Sequence, residues 1–162
     1  MTEELFGPLE QEECFGWQGR RTLEFGGRMQ DVDILIHGDG ADVTPRQEEA
    51  FRCFLERWSV LQGEVLDALL RYYNEEARFS YGPDDPEELA RWWPEIKTRE
   101  ALLQAVTLEM VVVEWDDLMD RGRCVYLLFS RTWGGEDYDD NGIGVRCVNE
   151  TVDEIGYKDI AY

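Results

Sequence analysis

Residues 44–74 constrain the fold more than any other stretch of the chain. Thr44-Pro45-Arg46-Gln47 reads as a helix start: Thr at the N-cap, Pro at the first helical position, and Gln three residues on to close a capping box. Beyond it Phe51, Phe54, Leu55, Trp58, Leu61, Val65, Leu66, Leu69 and Tyr72 recur at three- and four-residue intervals, which gathers them on one stripe of an α-helix. Arg and Glu residues occupy much of the other face. The spacing predicts a helix from Thr44 to about Asn74 that packs its stripe on an apolar surface. Gly63, inside that helix, costs about 1 kcal/mol relative to Ala and marks a kink or a close packing contact.

The flanking text supplies that surface as strands. Residues 15–25, the turn Gly26-Gly27 and the run from Met29 to Gly38 read as two or three antiparallel strands, with Met29, Val32, Ile34 and Ile36 as the apolar positions. The turn-rich break from Ser80 to Pro86 precedes a short helix over 87–93 that Pro94 stops, and a second short helix begins at the N-cap Thr98. Four more strands follow: Leu108 to Trp115, Cys124 to Ser130, Gly142 to Asn149, and Val152 to Tyr157, the last two joined by a hairpin turn at Glu150-Thr151. The fold class is therefore α+β: an antiparallel sheet, in one piece or two, with one long amphipathic helix and one or two short helices packed on a face. Residues 1–13, with five Glu and no base, form an acidic lead-in to a single domain over 14–162.

Charge narrows the function classes. Acids number 36 against 16 bases, a net charge of −20, which repels phosphates and anionic headgroups and attracts cationic proteins. Nucleic-acid and membrane partners are disfavoured, and no run is long or apolar enough to span a bilayer. The N-terminus carries neither a basic n-region nor an apolar h-region, so the expected location is the cytoplasm, with Cys14, Cys53, Cys124 and Cys147 as reduced thiols. Those cysteines form no CxxC pair, and the lone His37, read as a turn or surface residue, completes no zinc site.

Catalytic signatures are equally sparse. The chain contains no G-x-S-x-G elbow, P-loop or dinucleotide fingerprint, and one His leaves little material for a Ser/His or Cys/His site, so no enzyme activity and no cofactor are expected. Asp137-Tyr138-Asp139-Asp140-Asn141-Gly142 matches the first half of an EF-hand loop, but the twelfth position, where a bidentate Glu closes the cage, is Val148. The expectation is a solvated acidic loop, with a calcium site as the alternative. Candidate partner-binding residues are the loop acids Asp84, Asp85, Asp116, Asp117, Asp120, Glu136, Asp137, Asp139 and Asp140, together with the aromatic pair Trp92 and Trp93. Core packing is the more frequent fate of two adjacent Trp, but neighbours on a helix point about 100° apart, so one ring can be exposed while the other is buried.

Thr132-Trp133, Gly142-Ile143-Gly144-Val145 and the closing strand Val152 to Asp159 resemble a family of small bacterial domains of unknown function, as do Trp17-Gln18-Gly19 and the Thr44-to-Gln47 helix start. Such domains are similar to the immunity proteins of polymorphic toxin systems. The resemblance implies an acidic protein that neutralises a cognate toxin by occluding it, the toxin presenting a basic surface. The chain departs from the family pattern after Trp133, where eight residues without His replace a shorter acidic-His segment. An acidic mimic of nucleic acid, or a calcium-binding or enzymatic module, is the alternative reading.

Overall fold

The computed structural model describes residues 2–12, 16–134 and 142–162. Strands β1 (Glu10–Glu12), β2 (Gly16–Phe25), β3 (Arg28–His37), β4 (Val106–Val113), β5 (Cys124–Arg131), β6 (Ile143–Val148) and β7 (Thr151–Gly156) form one seven-stranded sheet in sequence order. Every neighbouring pair is antiparallel except β3 and β4, which run parallel from Asp33 opposite Met110 to Ile36 opposite Val113. The expected all-antiparallel sheet is corrected at that pair. Parallel neighbours cannot be joined by a tight turn and need a crossover, and here the whole helical connection between β3 and β4 serves as one.

That connection starts with α2 (Pro45–Tyr72), whose N-cap is Thr44 with both halves of the capping box formed. Of the stripe, Phe51, Phe54, Trp58, Leu61, Val65, Leu66 and Leu69 are buried, while Leu55 and Tyr72 pack at its margin. Each such side chain contributes roughly 1.5–3 kcal/mol on burial, which is why the stripe dictates where the helix lies. α2 runs through Gly63 without interruption, and the Arg99 guanidinium lies 3.6 Å from where a Cβ would stand, an ordinary contact distance that an Ala there would also allow.

The chain stays helical past Tyr72 through a π-helical turn, Tyr73–Ala77, and α3 (Arg78–Tyr81). The π turn sets Tyr73 and Asn74 against the returning chain. Tyr73 Oη donates to the Pro94 carbonyl (2.6 Å), and Asn74 exchanges two hydrogen bonds with the Ile96 backbone. Two short helices follow, α4 (Pro86–Trp92) capped by Asp85 and α5 (Arg99–Ala105) capped by Thr98.

The centre of the sheet is covered on both faces. Period-two alternation puts Val32, Ile34 and Ile36 toward α2 and Asp33, Leu35 and His37 on the reverse, yet Leu35 and His37 are also buried. The C-terminal turn Lys158–Ala161 and Tyr162 lie there: His37 Nε2 is 2.7 Å from the Ala161 carbonyl, and the Tyr162 ring meets the His37 ring edge-on. Two expectations fail by this logic. Met29, odd-numbered like Asp31 and Asp33, is exposed, and His37, 3% exposed, is a core residue. At the other end of the chain α1 (Thr2–Phe6) brings Phe6, fully buried, into a stack on Phe51 at 4.7 Å, so the acidic lead-in packs with the domain. No helix among the described residues is long and apolar enough to cross a membrane.

Candidate functional site

The parallel pair positions an acidic cleft. The C-terminal ends of β3 and β4 and the N-terminus of α2 meet at one end of the sheet, the place where open α/β sheets most often form crevices. Gln47, buried, holds the three together: its Nε2 donates to the carbonyls of His37 (2.7 Å) and Glu114 (3.0 Å), and its Oε1 accepts from the Thr44 amide (3.1 Å). Trp115 stacks parallel on His37 at 5.6 Å, and the Trp17 indole ties down the facing loop through the Ala41 carbonyl. The result is a cleft of about 390 Å³ whose mouth carries Asp39, Asp42, Asp116 and Asp117.

These acids do not all play one role. Asp116 accepts a short hydrogen bond from the Thr44 hydroxyl and is bonded by Arg46 through both its carboxylate and its carbonyl. A carboxylate at a helix N-terminus is favoured by the exposed amides there, so Asp116 stabilises the fold and is a poor candidate for partner contact. Asp117 and Asp120 stand exposed with no ion pair among the described residues. Asp39 and Asp42, which sequence reasoning passed over, join the cleft only because the β3–α2 loop folds across from the Trp115–Asp120 loop.

A second surface is the connection over 78–93. Phe79, Tyr81 and Trp92 are 66%, 43% and 40% exposed, and Asp84, Asp85, Glu87 and Glu88 are exposed among them. Asp85 is the N-cap of α4, accepting from the Glu87 amide, while Asp84 carries no such duty. Trp92 rests on Arg91 at 4.7 Å and donates to Glu88, which holds its ring at the surface. Trp93 is corrected: at 1% exposure it stacks parallel to Tyr73 and lies 5.3 Å from the guanidinium of Arg131, which also contacts Trp133 and Tyr157. It anchors the connection to the sheet and is not available to a partner.

The buried carboxylate of Glu114 is satisfied rather than poised for chemistry. Glu114 is buried beside the cleft with one carboxylate oxygen accepting from Tyr126 Oη (2.5 Å) and the other from the Trp115 amide (3.0 Å). Burial, and then the hydrogen bond to Glu114, keep the Tyr126 phenol protonated well above its ordinary range. Burial pushes the Cys124 thiol to about 11 and the Cys147 thiol to about 12, so neither supplies a thiolate near neutrality. Among the described residues no three His, Cys, Asp or Glu side chains converge on a point that would hold a metal ion. Glu136, Asp137, Asp139 and Asp140, with most of the half EF-hand loop, lie outside the described residues; its twelfth position, Val148, lies in β6 opposite Thr151.

A family model described as a domain of unknown function (DUF6985) matches residues 5–162, nearly the whole chain, and the chain belongs to that family. No curated protein and no solved structure matches it.

Proposed function

We propose that this member of the DUF6985 family is a protein-binding domain that neutralises a cationic protein by occlusion, in the manner of an immunity protein against a toxin with a basic surface. The observation that supports this reading most is the surface of the 78–93 connection, where three exposed aromatic rings stand among exposed carboxylates. Large aromatics bury much area at low entropic cost, and Trp and Tyr are the residues that most often dominate binding energy. The acids add long-range steering. Each ion pair removes one acid with one base, so pairing leaves the excess of −20 intact to accelerate encounter with a cation. The satisfied hydrogen bonding of Glu114 and the high pKa values of the buried thiols fit a binder better than a catalyst.

The test is association kinetics with a cationic protein encoded next to this gene, measured across a salt series. Wild type should associate more slowly as salt rises. Asp117→Lys with Asp120→Lys should slow association, and Trp92→Ala should mainly hasten dissociation, by roughly tenfold or more if Trp92 is an anchor. Asp116 is left unaltered because its reversal would disturb the α2 cap. Association that ignores both salt and charge reversal would remove these loops as the steering surface, and failure to bind the neighbouring gene product would remove the immunity reading.

A further inference from the structure

We infer that the partner also adds an extended, Lys- or Arg-bearing segment to the sheet along β7, in the groove between β7 and the C-terminal part of α2; this rests on the protein-binding role above. β7 is the last strand of the sheet, paired with β6 on one side and with no strand on the other among the described residues. An edge strand leaves outward N–H and C=O groups that an incoming strand can pair.

The groove has a volume of about 470 Å³. Ala68 and Tyr72 of α2 face Val152 and Ile155 of β7 across it, and the last three of these are only partly buried, which provides an apolar wall for alternate side chains of an added strand. Along the rim stand four carboxylates, Glu75, Glu76, Asp153 and Glu154, against one guanidinium, Arg71. Glu75 and Glu76 come from the π turn and have no ion pair among the described residues; Asp153 and Glu154 are steadied from outside the groove by Arg121 and Arg146. π-helical turns recur at functional sites because they re-aim side chains at the expense of regular bonding.

The same features select the occupant. A second copy of β7 would bring like acids face to face. A segment carrying Lys or Arg turns that repulsion into attraction.

The experiment titrates the isotopically labelled full chain with a nine-residue peptide of alternating Lys and Val and follows amide shifts and hydrogen exchange. Slowed exchange at alternate β7 amides is expected. The same peptide with its central residue replaced by Pro should bind at least about tenfold more weakly because it cannot complete the ladder. Glu75→Lys with Glu76→Lys should weaken the Lys-Val peptide by about tenfold while leaving the melting curve unchanged, both positions being exposed. Equal binding of the Pro peptide, or shifts confined to the Asp117 and Asp120 end, would overturn the groove and leave the protein-binding reading standing. A dimer built through β7 would also overturn it. If neither the peptide nor the neighbouring gene product binds anywhere, both proposals fall together.

Discussion

Gln47 shows how much one side chain can carry. It is legible in the sequence as the third helical residue of a capping box, yet its Nε2 satisfies two strand-end carbonyls, one of them 67 positions away. Gln47→Leu leaves those carbonyls and the Thr44 amide unpaired, and should lower stability by about 3 kcal/mol, since each orphaned buried group costs roughly 1–3 kcal/mol. Thr44→Ala, which loses one cap and the hydroxyl that Asp116 accepts from, should cost only about 1–2 kcal/mol. Gln47→Glu tests the geometry more sharply. It keeps the acceptor for Thr44 but turns an oxygen toward two carbonyls, so its carboxyl must hold a proton in the folded state. Its folded pKa is then raised above the unfolded one, and the variant should be nearest to wild type in acid and lose stability as pH rises through the carboxyl range. Urea melts of the three variants at about pH 4 and pH 8 check the order and the sign.

The β6–β7 hairpin turns one residue earlier than the sequence suggested. Thr151 pairs with Val148, so the two-residue loop is Asn149-Glu150, not Glu150-Thr151, and both have positive φ (49° and 59°). That is the conformation a tight hairpin demands. Asn tolerates it, whereas Glu is an unusual choice for it, which explains why the sequence did not reveal the turn. What holds Glu150 there is tertiary: Arg123 grips its carboxylate with two hydrogen bonds, and Arg57 of α2 donates to its carbonyl. Glu150→Ala removes the ion pair and keeps the strain, while Glu150→Gly removes both. The Gly variant should therefore be the more stable of the two by about 1 kcal/mol, as read from paired denaturant melts, and an Ala variant equal to Gly would show that the backbone is relaxed.

For the whole molecule the acid excess acts on the fold as well as on partners. A net charge of −20 on a domain of 162 residues repels itself in the compact state more than in the expanded one. Raising salt from about 10 mM to 300 mM shortens the screening length from about 30 Å to under 8 Å, so the melting temperature should rise over that range. Association with a cationic partner should slow over the same range. Opposite signs for the two measurements would separate a steering field from a merely salt-sensitive fold; a melting temperature that falls with salt would mean that the ion pairs outweigh the repulsion.

Whatever is written in neighbouring residues was readable without the structure. The α2 cap, its stripe, the Gly26-Gly27 turn, the cap Thr98 and the break before Pro86 all depend on contacts within a few positions, and local chemistry decides them. The exposure of Trp92 against the burial of Trp93 followed in part, because helical neighbours diverge, but which ring turned inward depended on Tyr73 and Arg131. Only the tertiary structure decided that β3 and β4 run parallel, that His37 is core, that Asp116 serves a helix end, and that Asp39 and Asp42 share a cleft with Asp117. Those outcomes depend on partners distant in sequence, and hydrophobic periodicity reports which face of an element is covered without saying what covers it.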